Sequence, residues 1–140
     1  MQTKPLIIAD RDIPFLEGVL EPYAEVRYLK GSAITADDVR GAEVLITRTR
    51  TRCDRALLEG SRIRLIATAT IGFDHIDTDY CRSRGIRVTT AAGCNARGVL
   101  QYIMAVLCRL GAEPGWQPSE RTLGIVGVGH VGSLVEEIGR

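Results

Sequence analysis

Short apolar runs recur along the chain: LIIA at residues 6–9, VRYL at 26–29, VLIT at 44–47, LIATA at 65–69, IRVT at 86–89 and LGIV at 123–126. They are rich in β-branched residues, largely continuous rather than alternating, and bounded by turn residues, as strands buried on both faces of a parallel sheet should be. The intervening segments have the spacing of crossover helices. Ile13, Leu16, Val19 and Leu20 follow a helical period, and Thr35 is placed to cap a short helix with Asp38 three residues on. Asp54 opens a run over 55–59 closed by Gly60, and Thr78 opens another that ends at Gly85. Strand and helix thus alternate through Thr90, the pattern of an α/β open sheet whose crossovers are right-handed.

The longest helix is predicted from Asn95 to about Leu110, because Val99, Tyr102, Ile103, Val106, Leu107 and Leu110 repeat at three and four residues without an internal proline. Residues 112–121 then hold Pro114, Gly115 and Pro118, a linker composition. A new strand–turn–helix opens at Thr122. The organisation expected is a flavodoxin-like open parallel sheet in residues 1–111, a linker at 112–121, and the start of a second domain at 122–140. A lone strand and helix cannot bury its own apolar strand, so these 140 residues read as part of a larger protein.

Composition narrows the function classes. With 45% hydrophobic and 25% charged residues and a net charge of +1, the chain matches a globular domain and carries no global field for nucleic acid or an anionic membrane. The balance is uneven, however. Residues 1–47 hold 5 basic and 8 acidic groups, net −3, whereas residues 48–140 hold 13 and 9, net +4. The excess begins abruptly at Arg48, Arg50, Arg52 and Arg55, which points to a local anion site. Cys53, Cys81, Cys94 and Cys108 show neither CxxC pairs nor zinc spacing and read as reduced thiols, with no metal expected. No segment has the length of a signal-peptide core or a membrane span, so a cytoplasmic protein is expected.

TLGIVGVGHVG at residues 122–132 places Gly127, Gly129 and Gly132 directly after an apolar strand and before a helix, as a Rossmann dinucleotide-binding fingerprint requires. The first glycine permits a tight turn, the second lets a pyrophosphate approach the backbone, and the third lets the helix pack on the strand. The backbone of Gly127, Gly129, His130, Val131 and Gly132 is the candidate phosphate cradle. An acidic residue ~20 positions further on, which would choose NAD over NADP, falls past Arg140.

RTRT (48–51), IATATIGFDHID (66–77), GIRV (85–88), AGCNA (92–96) and the glycine turn together resemble the D-isomer-specific 2-hydroxyacid dehydrogenase family, in its order and spacing. The TATxGxDHxD and GCNA strings favour its erythronate phosphate branch over phosphoglycerate or lactate relatives. The resemblance implies NAD as cofactor, a small phosphorylated hydroxy acid as substrate and a homodimeric parent protein. It also implies a catalytic Arg, Glu and His downstream of residue 140, so no catalytic residue is assigned here and the 140 residues alone are expected to be inactive. Thr49 and Thr70 match the family's substrate-contacting positions, with Arg48 and Arg50 as anion partners. Two positions depart from the family pattern: Gln101 stands where an acidic residue is usual, and Ala92 where proline is common.

The residues themselves support the substrate side. The run 47–52 follows a strand end, where open α/β sheets place ligands, and in an extended segment its threonines and arginines would form opposite rims. Arginine's planar fork suits carboxylate or phosphate. The alternative is a solvated basic loop. His75, between Asp74 and Asp77, reads as structural, and Cys94 as a small core residue. Two other functions stay open: a non-enzymatic dinucleotide sensor on the same fold, and a phosphoglycerate-type enzyme. A receiver-type phosphoacceptor domain fits poorly, because Thr47, Arg48 and Thr49 stand where its aspartate belongs.

Overall fold

The computed structural model describes residues 4–140. Five of the predicted strands form one all-parallel sheet: β1 (Leu6–Asp10), β2 (Glu25–Leu29), β3 (Val44–Thr47), β4 (Leu65–Thr68) and β5 (Arg87–Thr90), in the order β2-β1-β3-β4-β5. This is the flavodoxin-like order, and it reverses direction between β1 and β3. Register is set by the apolar residues, with Ile8 beside Leu45, Leu45 beside Ile66, and Ile66 beside Val88. Burial grades across the sheet. Four of the five β1 residues are buried, β3 and β4 alternate between buried and half-buried, and the edge strands β2 and β5 are more exposed. Continuous apolar sequence therefore reports two-sided burial most faithfully on β1.

The short crossover helices are α1 (Ala36–Val39), α2 (Arg55–Leu58) and α3 (Thr78–Ser83). Each begins at a side-chain cap. The Thr35 N–H and hydroxyl both donate to Asp38 Oδ2, at 2.7 and 2.6 Å. Asp54 Oδ1 accepts from Leu57 N–H, and Asp77 Oδ1 from Tyr80 N–H. Such caps matter most where a helix of four to six residues cannot hold itself.

The helix predicted from Ile13, Leu16, Val19 and Leu20 does not form. Residues 11–24 run as successive turns, with Val19 N–H bonded to Leu16 O and Tyr23 N–H to Leu20 O. Pro14, Gly18 and Pro22 interrupt any helical ladder, and Phe15 takes a φ of 62° with its ring exposed. The Tyr28 hydroxyl donates to Glu21 at 2.8 Å and ties these turns to β2.

Residues Met1–Ala91 and Ala92–Arg140 form two compact units. The second contains α4 (Ala96–Gly111), a short 3₁₀ turn at Pro118–Glu120 and α5 (Gly132–Gly139). The α4 period holds as predicted, but only part of its apolar stripe is covered: Ile103 and Leu107 are half-buried, whereas Tyr102, Val106 and Leu110 are exposed. Residues 123–126, predicted as a strand, make no ladder among the described residues, because a strand exists only through a neighbour that accepts its hydrogen bonds. Val126 is accordingly fully exposed. Among the described residues no helix is long and apolar enough to cross a membrane.

The core of the first unit gathers Ile8, Val39, Leu45, Leu58, Ile66, Cys53 and Cys81. Cys94 and Cys108 are exposed, so Cys94 is not the core residue its size suggested. Leu45 has no exposed surface and lies mid-sheet between Ile8 and Ile66. Leu45→Ala should destabilise the chain by about 2–5 kcal/mol, read from denaturant unfolding. A loss under about 1 kcal/mol would show that the sheet centre is not the core.

Candidate functional site

Two loops leave the C-terminal edge of the sheet side by side, residues 48–53 after β3 and residues 69–77 after β4. A single parallel bridge joins them. Cys53 N–H donates to His75 O at 2.8 Å, and Asp77 N–H donates to Cys53 O at 2.9 Å. Between the loops opens a cleft of about 470 Å³ lined by Thr49, Arg52, Gly72, Asp74 and His75. It lies one strand over from the β1/β3 reversal, at the edge where open α/β sheets bind ligands.

The β3 loop is not extended, so its threonines and arginines do not form opposite rims. Thr51 N–H bonds back to Arg48 O and closes a turn, which sends Thr47 and Thr51 into the interior and leaves Thr49 outside. The turn is anchored from below. Thr51 Oγ1 donates to Gly31 O at 2.9 Å, and Gly31 sits so close to the buried Asp10 that a Cβ there would lie 2.4 Å from its Oδ2. Asp10 Oδ1 accepts from Asp12 N–H at 3.0 Å, and the Asp12 carbonyl accepts from the Arg48 guanidinium at 2.9 Å.

These anchors separate the predicted site residues. Thr49 faces the cleft. Arg48 is drawn toward the end of β1, and Arg50 is exposed; neither lines the cleft. Arg52 takes that place, with its Nε 3.0 Å from Asp54 Oδ2. Thr70 is half-buried and does not line the cleft, its hydroxyl donating to the cleft-lining Gly72 O at 3.0 Å and standing 2.6 Å from Thr68 Oγ1. His75, read from sequence as structural, serves both purposes. Its carbonyl holds the bridge, and its ring lines the cleft with Nε2 3.3 Å from Thr68 Oγ1.

Burial holds His75 below the ordinary histidine value of 6.5, with nearby Asp74 opposing the shift, so the ring is neutral at pH 7. Burial pushes the Cys53 thiol up to about 12, which makes it a packing group and not a nucleophile.

The glycine turn of the second unit has its own geometry. Gly127 adopts a φ of 91°, and a Cβ on Gly132 would stand 2.1 Å from the Gly127 carbonyl oxygen, so the start of α5 rests directly on the turn. Around Gly129 there is open space. Ser133 N–H and its hydroxyl both donate to Gly129 O, at 3.0 and 2.8 Å, and the His130 ring packs over Gly93. A turn this tight, with an open glycine at its mouth, fits a phosphate group held on backbone N–H groups of residues 127–132.

A family model described as D-isomer specific 2-hydroxyacid dehydrogenase, catalytic domain, matches residues 5–105. The chain belongs to this family. Among curated 2-hydroxyacid dehydrogenase relatives, the erythronate-4-phosphate dehydrogenase of Bacteroides fragilis is 51% identical over 135 residues, covering 96% of this chain and 39% of that protein. The corresponding protein of Porphyromonas gingivalis is 47% identical over 132 residues, covering 94% of this chain and 36% of its own length. The chain thus spans little more than a third of these relatives. Among solved structures, D-lactate dehydrogenase from Aquifex aeolicus, complexed with NAD and lactic acid, superposes with a TM-score of 0.73 at 24% identity, covering 96% of this chain and 47% of that one. NAD-bound 3-phosphoglycerate dehydrogenase from Entamoeba histolytica gives 0.66 at 22%, covering 98% and 51%. These two share the fold.

Sequence alone could not rank the arginines of 48–52, because the ranking follows from the turn at residues 48–51 and from the Asp12 carbonyl, 36 positions away. Arg52 carried no motif signal that set it apart from its neighbours, and Asp74, a fixed position of the TATxGxDHxD string, was not singled out as a site residue.

The lowered His75 value has a testable sign. The unfolded chain takes up the proton first, so stability should fall as pH drops through about 6.5 toward the folded-state value, then level off. Urea midpoints of wild type and His75→Gln should diverge in that interval. Parallel curves would contradict the assignment.

Proposed function

We propose that this chain is the N-terminal part of an NAD-dependent 2-hydroxyacid dehydrogenase that oxidises 4-phospho-erythronate to 3-hydroxy-2-oxo-4-phosphooxybutanoate, a step toward pyridoxal phosphate. The observation that carries this reading is the cleft beside the ends of β3 and β4, which sets the Thr49 hydroxyl, the Arg52 guanidinium, the Asp74 carboxylate and the His75 imidazole around a space for a small hydroxy acid. The identity of 45–51% to proteins named erythronate-4-phosphate dehydrogenase supports the choice of acid. In this reading residues 1–111 belong to the substrate domain, 112–121 to a linker and 122–140 to the opening of the cofactor domain, in a cytoplasmic homodimer.

Thr49 from the cleft and Thr70 from beside the cleft-lining Gly72 orient substrate oxygens by hydrogen bonds, and the Arg52 guanidinium, with Arg48 and Arg50 nearby, offers N–H donors to the carboxylate or phosphate of the acid. The backbone at Gly127, Gly129, His130, Val131 and Gly132 would hold the pyrophosphate of NAD, the close Gly127–Gly132 packing giving that cradle its shape. NAD, when bound, supplies the hydride acceptor. The base for the C2 hydroxyl proton and the arginine for the carboxylate belong, by the family pattern, downstream of residue 140, so the 140-residue chain binds substrate without turning it over.

Titrating the chain with 4-phospho-erythronate while following backbone amide shifts should move Thr49, Thr70 and Gly72, with tighter binding than 3-phosphoglycerate. Thr49→Val should weaken binding about ten- to a hundredfold, the equivalent of one hydrogen bond to a charged group. Equal or tighter binding of 3-phosphoglycerate, or shifts confined to other faces, would overturn the substrate. NAD reduction by the 140-residue chain would overturn its inactivity.

A further inference from the structure

Three hydrogen bonds at the end of β4 are compatible with only one direction. Thr70 Oγ1 lies 3.0 Å from the carbonyl oxygen of Gly72, which can only accept, so the single hydroxyl hydrogen of Thr70 points there. Thr68 Oγ1, 2.6 Å from Thr70 Oγ1, must then donate in that pair. With its own hydrogen committed, Thr68 can only accept from His75 Nε2 at 3.3 Å. Nε2 of His75 therefore carries the proton. Thr68 is 3% exposed, so solvent offers its hydroxyl little alternative. The chain His75 Nε2–H to Thr68 to Thr70 to Gly72 O is polarised along its whole length toward the cleft wall.

Direction matters for what Thr70 can hold. Had Nε2 been the acceptor, Thr68 would donate to the ring, Thr70 would donate to Thr68, and the lone pairs of Thr70 would face an incoming anion. With Nε2 as donor, the Thr70 hydrogen lies on the carbonyl of Gly72, a residue that lines the cleft, and only its last acceptor has to change.

We propose, building on the substrate reading above, that His75 is a positioning residue: through Thr68 it commits the Thr70 hydroxyl to donate, and an anionic substrate oxygen replaces the Gly72 carbonyl as acceptor. The site thereby selects an acceptor, carboxylate or phosphate oxygen, over a ligand that presents only donors. The neutral ring suffices for this, because one proton on Nε2 sets the direction, and burial favours that neutral form.

The test is a long-range proton–nitrogen spectrum of the 140-residue chain, joined to binding of inorganic phosphate and of 4-phospho-erythronate. His75 should be protonated on Nε2 at pH 7. His75→Gln, whose amide N–H₂ can still donate, should bind within about twofold of wild type, whereas His75→Leu should lose about tenfold. The double variant His75→Leu with Thr70→Val should bind no worse than Thr70→Val alone, since His75 acts only through Thr70. A proton on Nδ1 with a bare Nε2, unchanged binding in His75→Leu, or additive losses in the double variant would overturn the proposal. If wild type binds neither anion, the substrate reading falls and the ligand half of this inference with it, while the nitrogen spectrum still decides whether the relay exists.

Discussion

The cleft depends on two backbone hydrogen bonds, from Cys53 N–H to the His75 carbonyl and from Asp77 N–H to the Cys53 carbonyl. Parallel strands end where their ladder ends, and the loops beyond would normally part. Here the bridge between Cys53 and Ile76 resumes the pairing several residues past β3 and β4, so the loops bow apart between two fixed points. Cys53 and Ile76 are both buried, which shields the bridge from water. Thr49 and Arg52 hang on one side of the opening and Gly72, Asp74 and His75 on the other.

A second layer of restraint comes from β1. The buried Asp10 turns the backbone at Asp12, whose carbonyl takes Arg48, while Gly31 accepts from Thr51 and leaves room for the Asp10 carboxylate. An anion site made from adjacent arginines would repel itself; pulling Arg48 onto a carbonyl and setting Arg52 against Asp54 spreads that charge. An exposed ion pair such as Arg52–Asp54 adds little stability, so its role is geometric.

The fold was readable because its cause is local. The runs LIIA, VLIT and LIATA are apolar since β1, β3 and β4 are the interior strands, and Thr35, Asp54 and Asp77 cap their helices within three residues. Where the sequence pattern misled, at Ile13, Leu16, Val19 and Leu20, helical spacing competed with Pro14, Gly18 and Pro22, and the breakers won. The site was readable only in part. Thr49 and Thr70 were nominated through motif resemblance, but the displacement of Arg48 onto the Asp12 carbonyl and the placing of Arg52 and His75 at the cleft follow from how the chain folds back on itself, which no local spacing encodes. The glycine turn lies between these cases. Its tightness at Gly127 and Gly132 is a local steric fact, whereas the strand at 123–126 needs a neighbour to exist.

Native-state hydrogen exchange of individual amides tests the bridge most directly. The amides of Cys53 and Asp77 should exchange as slowly as those of β3 and β4, opening only when the sheet opens, while Arg50 and Gly72 between them exchange quickly. Exchange of Cys53 and Asp77 as fast as Arg50 and Gly72 would mean that the two loops move independently and that the cleft is not held by the fold.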